Sequence, residues 1–328
     1  MEDRHLWEYE NLPVINSGKR PNILLVGNGI NRAFDAESWE DLICNALSRN
    51  KSIYAYDDIR DMPATMQIVV ATAKTLGNRE DNDNNVSKEA QIIANSLCRE
   101  QLDEKQADLI GQILDLPINA ILNTNYSNEF ELFATNSYSR YKIRCCQRRT
   151  KPSKGSAEQF RLFQFSSLGK NYLDKTLWHI HGDITKPSSM VIGHYYYGRL
   201  LKQIEIQAIH CKRLYSIAKK KGIPFKPESW VDYFLIGDVY IVGLGMYLPE
   251  QDLWWLLSFK EQFFSDTKVY FYQAEKKINK DVKKMLQAYG AEPITEIPLN
   301  QGNYVDFYRS ALRDIQRRIT AKEDTHHV

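Results

Sequence analysis

Apolar residues in this chain follow two rhythms. Short runs at 22–26, 119–122, 177–180, 239–242 and 269–272 are mainly apolar and too brief for a helix. Bounded runs of this length predict strands buried on both faces. Between them the spacing turns helical. Ser38 is placed as an N-cap with Asp41 three residues on, ahead of Leu42, Ile43 and Leu47. The stretch 60–115 reads as helical, with a nearly all-apolar segment at 66–76. Two stripes follow, one of Ala90, Ile93, Ala94 and Leu97, the other of Leu109, Ile110, Ile113 and Leu114. A long helix is predicted over 196–221, stopped by Gly222 and Pro224, with another turn or two at 229–236. A further helix opens at Pro249 and Glu250, and a last one spans 302–319. That final helix reads as the outer layer of the domain.

Strands alternating with helices along the whole chain predict an α/β fold: a Rossmann-like, mostly parallel sheet with helices on both faces and helical insertions. The expected organisation is a lead-in over 1–20, partly ordered through Leu6, Trp7 and Tyr9. One domain follows over 21–320, with insertions at about 60–115 and 184–235, and then a polar tail at 321–328. The polar stretch 77–85 is the expected site of surface disorder.

Composition narrows the function classes. With 43 Lys and Arg against 41 Asp and Glu, the net charge is +2, so no whole-chain field favours nucleic acid. The segment 140–154 carries seven basic residues and no acid, but without regular aromatic interleaving it reads as a solvated loop or edge hairpin. The N-terminus lacks an apolar stretch typical of a signal peptide, and no run is long enough to span a bilayer. Five cysteines (Cys44, Cys98, Cys145, Cys146, Cys211) form no C-x-x-C pair, which argues against a disulfide framework or a cysteine zinc site. A cytoplasmic protein is expected.

The candidate chemistry lies just past the strands. Gly27, Asn28, Gly29 and Asn31 follow the first; Thr124, Asn125, Tyr126 and Ser127 the second. His181, Gly182 and Asp183 follow the third, and Gly243, Gly245 and Met246 the fourth. In parallel sheets ligands bind beyond the carboxyl ends of strands, so these four segments predict one rim. Glycines there let backbone approach a phosphate. His179 and His181 share a face as alternate residues, but no paired acids stand beside them and no metal is expected. Asp183 is read either as a partner orienting His181 or as an Asx cap. Asp252 and Glu250 are read as acids complementing a helix dipole. Trp254 and Trp255 are read as core or interface residues rather than an adenine platform, and His194 with Tyr195 to Tyr197 as a surface cluster, with lining of the cleft as the alternative.

The motifs GNGIN at 27–31, NTNYSNEFE at 123–131, HIHGD at 179–183 and VGLGMYLPEQDLWWLL at 242–257 fall in the order seen in sirtuin-like proteins. The resemblance covers roughly 20–275 and is closest to the bacterial sirtuin-like NAD hydrolases of anti-phage defence systems. It implies that Gly27 and Gly29 approach an NAD pyrophosphate, with Asn31 where sirtuins carry a serine. It implies that Asn125 is the catalytic asparagine, with Thr124 and Tyr126 beside it, and that Ser127 replaces the usual aspartate. His181 matches the general base. Gly243 and Gly245 match the turn holding ribose or adenine, and Met246 stands where a Ser or Thr hydroxyl is usual.

The implied activity is release of nicotinamide and ADP-ribose from NAD, latent until a partner protein, a signal or homo-oligomerisation releases it. An NAD-dependent deacylase is a weaker alternative, because 183–235 holds one cysteine and cannot build the two-pair zinc module of that group. A nucleotide-sensing or scaffold protein without turnover is the other alternative, favoured by Ser127 and Met246.

Overall fold

The computed structural model describes residues 12–16, 18–36, 38–49, 52, 54–71, 88–97, 101–135, 140–147, 162–169, 175–247 and 249–325. Leu6, Trp7, Tyr9, the 77–85 loop, the basic positions 148–154 and the last three residues of the tail lie outside that set. The fold is α/β, built on one eight-stranded sheet in the order β3-β4-β5-β2-β1-β6-β7-β8. The strands are β1 (Asn22–Val26), β2 (Ala120–Asn123), β3 (Lys142–Gln147), β4 (Gln164–Gly169), β5 (Lys175–His179), β6 (Asp238–Val242), β7 (Val269–Tyr272) and β8 (Ala291–Ile294). From β5 through β8 every pairing is parallel, whereas β4 runs antiparallel to both β5 and β3.

The helices are α1 (Gly29–Arg32), α2 (Trp39–Arg49), α3 (Ala64–Ala71), α4 (Lys88–Leu97), α5 (Glu104–Asp115), α6 (Glu129–Thr135), α7 (His194–Lys221), α8 (Trp230–Ile236), α9 (Gln251–Phe263), α10 (Lys280–Ala288) and α11 (Tyr304–Thr325). Among the described residues, no helix is long and apolar enough to cross a membrane.

Strand alternation sorts the core into two layers. Ile23, Leu25, Ala120, Leu122, Val239 and Ile241 pack with α7, α8 and α9, while Leu24, Val26, Ile121, Tyr240 and Val242 pack with α5 and α11. Every one of these residues is buried, as continuous apolar runs require in a sheet covered on both faces. A third cluster stands apart. Ile43, Ala46 and Leu47 of α2, Ile68 and Ala71 of α3, and Ala90, Ile93 and Ala94 of α4 pack around Met190 and Ile192. This lobe is the helical insertion, and its bounds differ from 60–115 at both ends: it takes in α2 and stops at α4, because α5 carries Leu109, Ile110 and Ile113 onto the sheet itself. Met66 and Val69 of α3 are exposed, so that helix buries one face rather than all of it. The lead-in is anchored by Leu12 and Ile15, with Ile15 bridging Phe225 through two backbone hydrogen bonds.

Local signals fix the helix ends. Ser38 and Asp41 form reciprocal bonds ahead of α2, with Ser38 N donating to Asp41 Oδ2 at 2.8 Å and Asp41 N to Ser38 Oγ at 3.1 Å. α7 ends where Gly222 turns left-handed at φ 62°. Carbonyls at the end of α8 and at its C-cap are taken by a buried lysine, whose pKa burial lowers to about 7: Lys260 Nζ donates to Phe234 O (2.9 Å), Leu235 O (2.8 Å) and Gly237 O (2.7 Å). All three ammonium protons are used, which is how a lysine is tolerated in a core.

Replacing Lys260 with Met keeps the stem and orphans three buried carbonyls. We expect a loss of about 3 kcal/mol, seen as a lower urea midpoint at unchanged slope. A midpoint that does not move would show that this cap contributes nothing.

Candidate functional site

The rim at the carboxyl ends of β1, β2, β5 and β6 gathers the four polar segments. β1 lies at the sheet centre between β2 and β6, and the loops leaving β1 and β6 meet. Gly27 N donates to Val242 O at 2.9 Å and Gly29 N to Gly243 O at 2.7 Å. A Cβ on Gly27 would stand 2.5 Å from Gly243 O, one on Gly29 2.7 Å from the same atom, and Gly243 itself has φ 69°. These glycines are demanded by backbone contact between the two loops. Two N–H groups expected to face a pyrophosphate are therefore already bonded within the fold.

Asn31 and Ser127 are likewise turned inward. Asn31 Nδ2 donates to Glu129 Oε1 (2.9 Å) and Ser127 Oγ (3.3 Å), and Gln106 Nε2 donates to Asn31 Oδ1 (3.3 Å). All four residues are buried, and burial pushes the Glu129 carboxyl above its ordinary range despite the Ser127 hydrogen bond. This network ties the β1 loop to α5 and α6 rather than to an outside ligand. Met246 is fully buried in the core and holds a left-handed backbone at φ 50°. Its side chain offers no surface to a dinucleotide, unlike the hydroxyl it replaces in the resemblance. A non-glycine residue in that region costs on the order of 1 kcal/mol, which the surrounding packing must offset. Gly245 lies under the Tyr247 ring.

Asn125 is held differently. Thr124 caps β1, its N and Oγ1 both donating to Val26 O (3.0 and 3.1 Å), and Asn125 N donates to Asn123 Oδ1 at 3.0 Å. The Asn125 carbonyl accepts from His179 Nδ1 at 3.2 Å, and His179 Nε2 donates to Glu131 Oε1 at 2.8 Å. Both partners accept only, so both ring nitrogens carry protons. Burial works to discharge this ring, but the Glu131 carboxylate, with Asp183 and the Asn125 carbonyl, outweighs it and raises the pKa to about 9. With its backbone pinned, Asn125 keeps a side-chain amide that has no hydrogen-bond partner among the described residues. His179 is thus held behind Asn125 as a cation with both ring nitrogens engaged.

His181 is buried, and its Nε2 lies 2.8 Å from Asp252 Oδ2 on the first turn of α9. Asp183, the nearer acid in sequence, instead accepts from Thr185 N (2.8 Å), the Thr185 hydroxyl and Lys186 N (3.3 Å), so it is the Asx cap. Gly182 between them is required because the Ser189 carbonyl sits where a Cβ would point, and its φ is 83°. Burial opposes charge on His181, yet the Asp252 charge and hydrogen bond outweigh it, with Glu250 adding only where it is ionised, and the net shift is upward. His181 Nδ1 has no hydrogen-bond partner among the described residues.

Tyr126 and Tyr197 link the two strand ends. Tyr126 Oη donates to Val191 O at 2.7 Å and accepts from Tyr197, whose ring stands edge-on to His181 at 5.5 Å. Burial drives both phenols upward, so both remain neutral. Ile184 N donates to Tyr126 O at 2.9 Å, bonding the segment after His181 to the residue after Asn125. Asn28 sits at the N-terminus of the short α1, beside these loops.

His181, Glu250 and Asp252 each offer one donor atom, and the three lie within 4.8 Å of one another. They meet at the N-terminal end of α9, where the helix dipole favours anions and opposes a cation. Sequence reading missed the Asp252–His181 and Glu131–His179 pairs, and for Tyr197 it is the alternative reading, a residue lining the cleft, that the structure supports. The acids had a sufficient local explanation as dipole partners, and each true partner lies far off in sequence. Trp254 is core, its Nε1 donating to Tyr247 O at 3.2 Å, while Tyr195 is exposed as expected.

No family model matches the chain, and no curated protein matches it significantly.

A folded pKa raised from 6.5 to about 9 makes the His179–Glu131 pair stabilising below pH 6.5, with that contribution lost as pH rises through 9. Glu131→Gln is therefore expected to cost about 2–3 kcal/mol at pH 6 and little at pH 9.5, read by urea unfolding at both values. Equal losses at the two pH values would refute a charged His179.

Proposed function

We propose that this protein is an NAD glycohydrolase of the sirtuin-like kind, cleaving the bond between nicotinamide and ribose. The observation that carries the reading is the pair of open side chains on one rim, the Asn125 amide and His181 Nδ1, each held from behind by a buried partner. In the reaction nicotinamide departs with the bonding electron pair and becomes neutral, leaving an oxocarbenium-like ribose. A neutral amide can hold a ribose hydroxyl or the attacking water without opposing the cation that forms. As water attacks, His181 Nδ1 takes its proton, and the products are nicotinamide, ADP-ribose and that proton. The Tyr126–Tyr197 pair keeps the two strand ends together, so that amide and imidazole meet one substrate.

Activity is held latent and released by a partner protein, a nucleotide signal or self-association, as suits an effector of anti-phage defence acting by NAD depletion. A second reading, a nucleotide-binding sensor without turnover, is favoured by Ser127 and Met246, whose side chains are engaged within the fold where catalytic relatives in the resemblance carry an acid and a hydroxyl.

The test is nicotinamide release from NAD by the purified protein, with and without extract from infected cells. Asn125→Ala and His181→Gln are each expected to lower the rate at least a hundredfold while melting as wild type does. The rising limb of the kcat/KM–pH profile should lie above the ordinary histidine value of 6.5, because the reaction needs neutral His181 and its pKa is raised. NAD binding without nicotinamide release under every condition would replace this reading by the sensor.

A further inference from the structure

Two carboxylate oxygens beside His181 are buried and have no hydrogen-bond partner among the described residues: Asp252 Oδ1 and Glu250 Oε2. Asp252 is 1% exposed, and its other oxygen is engaged with His181 at 2.8 Å. One donor atom each of Asp252, Glu250 and His181 lies within 4.8 Å of the others. An unpaired buried carboxylate is costly, and two side by side more so. A single proton between the carboxyl groups removes both deficits at once, since a protonated carboxyl donates and its neighbour accepts.

We propose that Asp252 is the positioning residue that presents His181 Nδ1 to the substrate, and that Glu250 is held as a carboxylic acid donating to the free oxygen of Asp252. The assignment rests on the glycohydrolase reading only for its effect on rate; the arrangement itself belongs to the resting protein.

The geometry sets the tautomer. Asp252 accepts, so Nε2 carries the proton and Nδ1 keeps its lone pair. When Nδ1 takes a proton from water, the resulting imidazolium faces Asp252 and is stabilised without the proton passing on to the acid. Glu250 in its acid form keeps a second negative charge away from that ring. Burial raises its carboxyl to about 7, with Asp252 adding to the rise and His181 opposing it, so the acid form is accessible near neutral pH. The groups facing His181 are Asp252 and Glu250 from the β6–α9 segment, and from α7 the neutral Tyr197, which in turn bonds Tyr126 of the β2 loop. Asp183 turns its Oδ1 to Thr185 and Lys186 instead. A metal ion is the competing occupant of the same atoms, and the positive end of α9 weighs against it.

The experiment is a nitrogen-15 and carbon-13 histidine NMR titration of the full chain, run on wild type, Asp252→Asn, Glu250→Gln and Glu250→Ala, with His181→Gln assigning the signal. Nicotinamide release is measured on the same samples. Wild type should show the Nε2–H tautomer. Asp252→Asn, whose amide can donate to Nε2, should move the ring toward the Nδ1–H form, lower its pKa, and cut kcat by two to four orders of magnitude at little changed KM. Glu250→Gln keeps a donor toward Asp252 and should retain the Nε2–H tautomer, whereas Glu250→Ala, which removes it, should not.

An unchanged tautomer and pKa in Asp252→Asn overturns the positioning role, whatever the enzymatic result. An Nδ1–H tautomer in Glu250→Gln, or an Nε2–H tautomer kept in Glu250→Ala, overturns the acid role. A histidine signal that shifts on adding zinc or manganese alone, and reverts with a chelator, assigns the cluster to a cation and overturns both. The expected tautomers without any NAD cleavage leave the positioning claim standing and refute only the reaction.

Discussion

The carbonyl of Gly243 is the fixed point of this molecule. It closes the β6 loop onto the β1 loop by accepting from Gly29 N, and no side chain fits between the two backbones. Because β1 has β2 on one side and β6 on the other, the chain must leave the sheet centre in both directions from one end. That reversal opens the crevice in a doubly wound sheet. Here it is narrowed to backbone contact, and the open functional groups lie toward β2 and β5 instead.

Two histidines separated by one residue take opposite fates on that side. His179 has an acceptor at each nitrogen and is locked as a cation; its work is to hold the Asn125 backbone. His181 has one nitrogen engaged and one open. β5 ends at His179, so His181 lies in the turn beyond it and the shared face expected of alternate strand residues no longer applies; a shared residue type therefore says little about a shared role. The acids decide the difference, and they arrive from α6 and α9.

The central strands were legible because burial on both faces writes itself as an unbroken apolar run. β3 was legible only as the edge-hairpin alternative for 140–154, and β4 was not: KIRCCQ and QFSSLG mix polar and apolar positions, as an antiparallel edge allows. β8 was hidden by Pro293, a residue that sheets accept at an edge. Asn125 and His181 stood out in the sequence because each follows a strand within a compact polar motif. Asp252 lies 71 residues from His181 and Glu131 lies 48 from His179. Neither pairing leaves a local trace, since an acid in a first helical turn already has a sufficient reason to be there. Met246 and Ser127 could be noted as departures in type, but only the packing shows that one is sealed in the core and the other bonded into the Asn31 network.

Tyr126 packs against the α2–α4 lobe while its hydroxyl and carbonyl bind the segment that follows His181. The lobe and the Asn125 loop are thus mechanically in series. Displacement of α2, α3 or α4 cannot be absorbed by the lobe alone, since its small core includes a residue next to the asparagine. The fluctuations of that asparagine are therefore set as much by the stiffness of a three-helix appendage as by the sheet from which it projects.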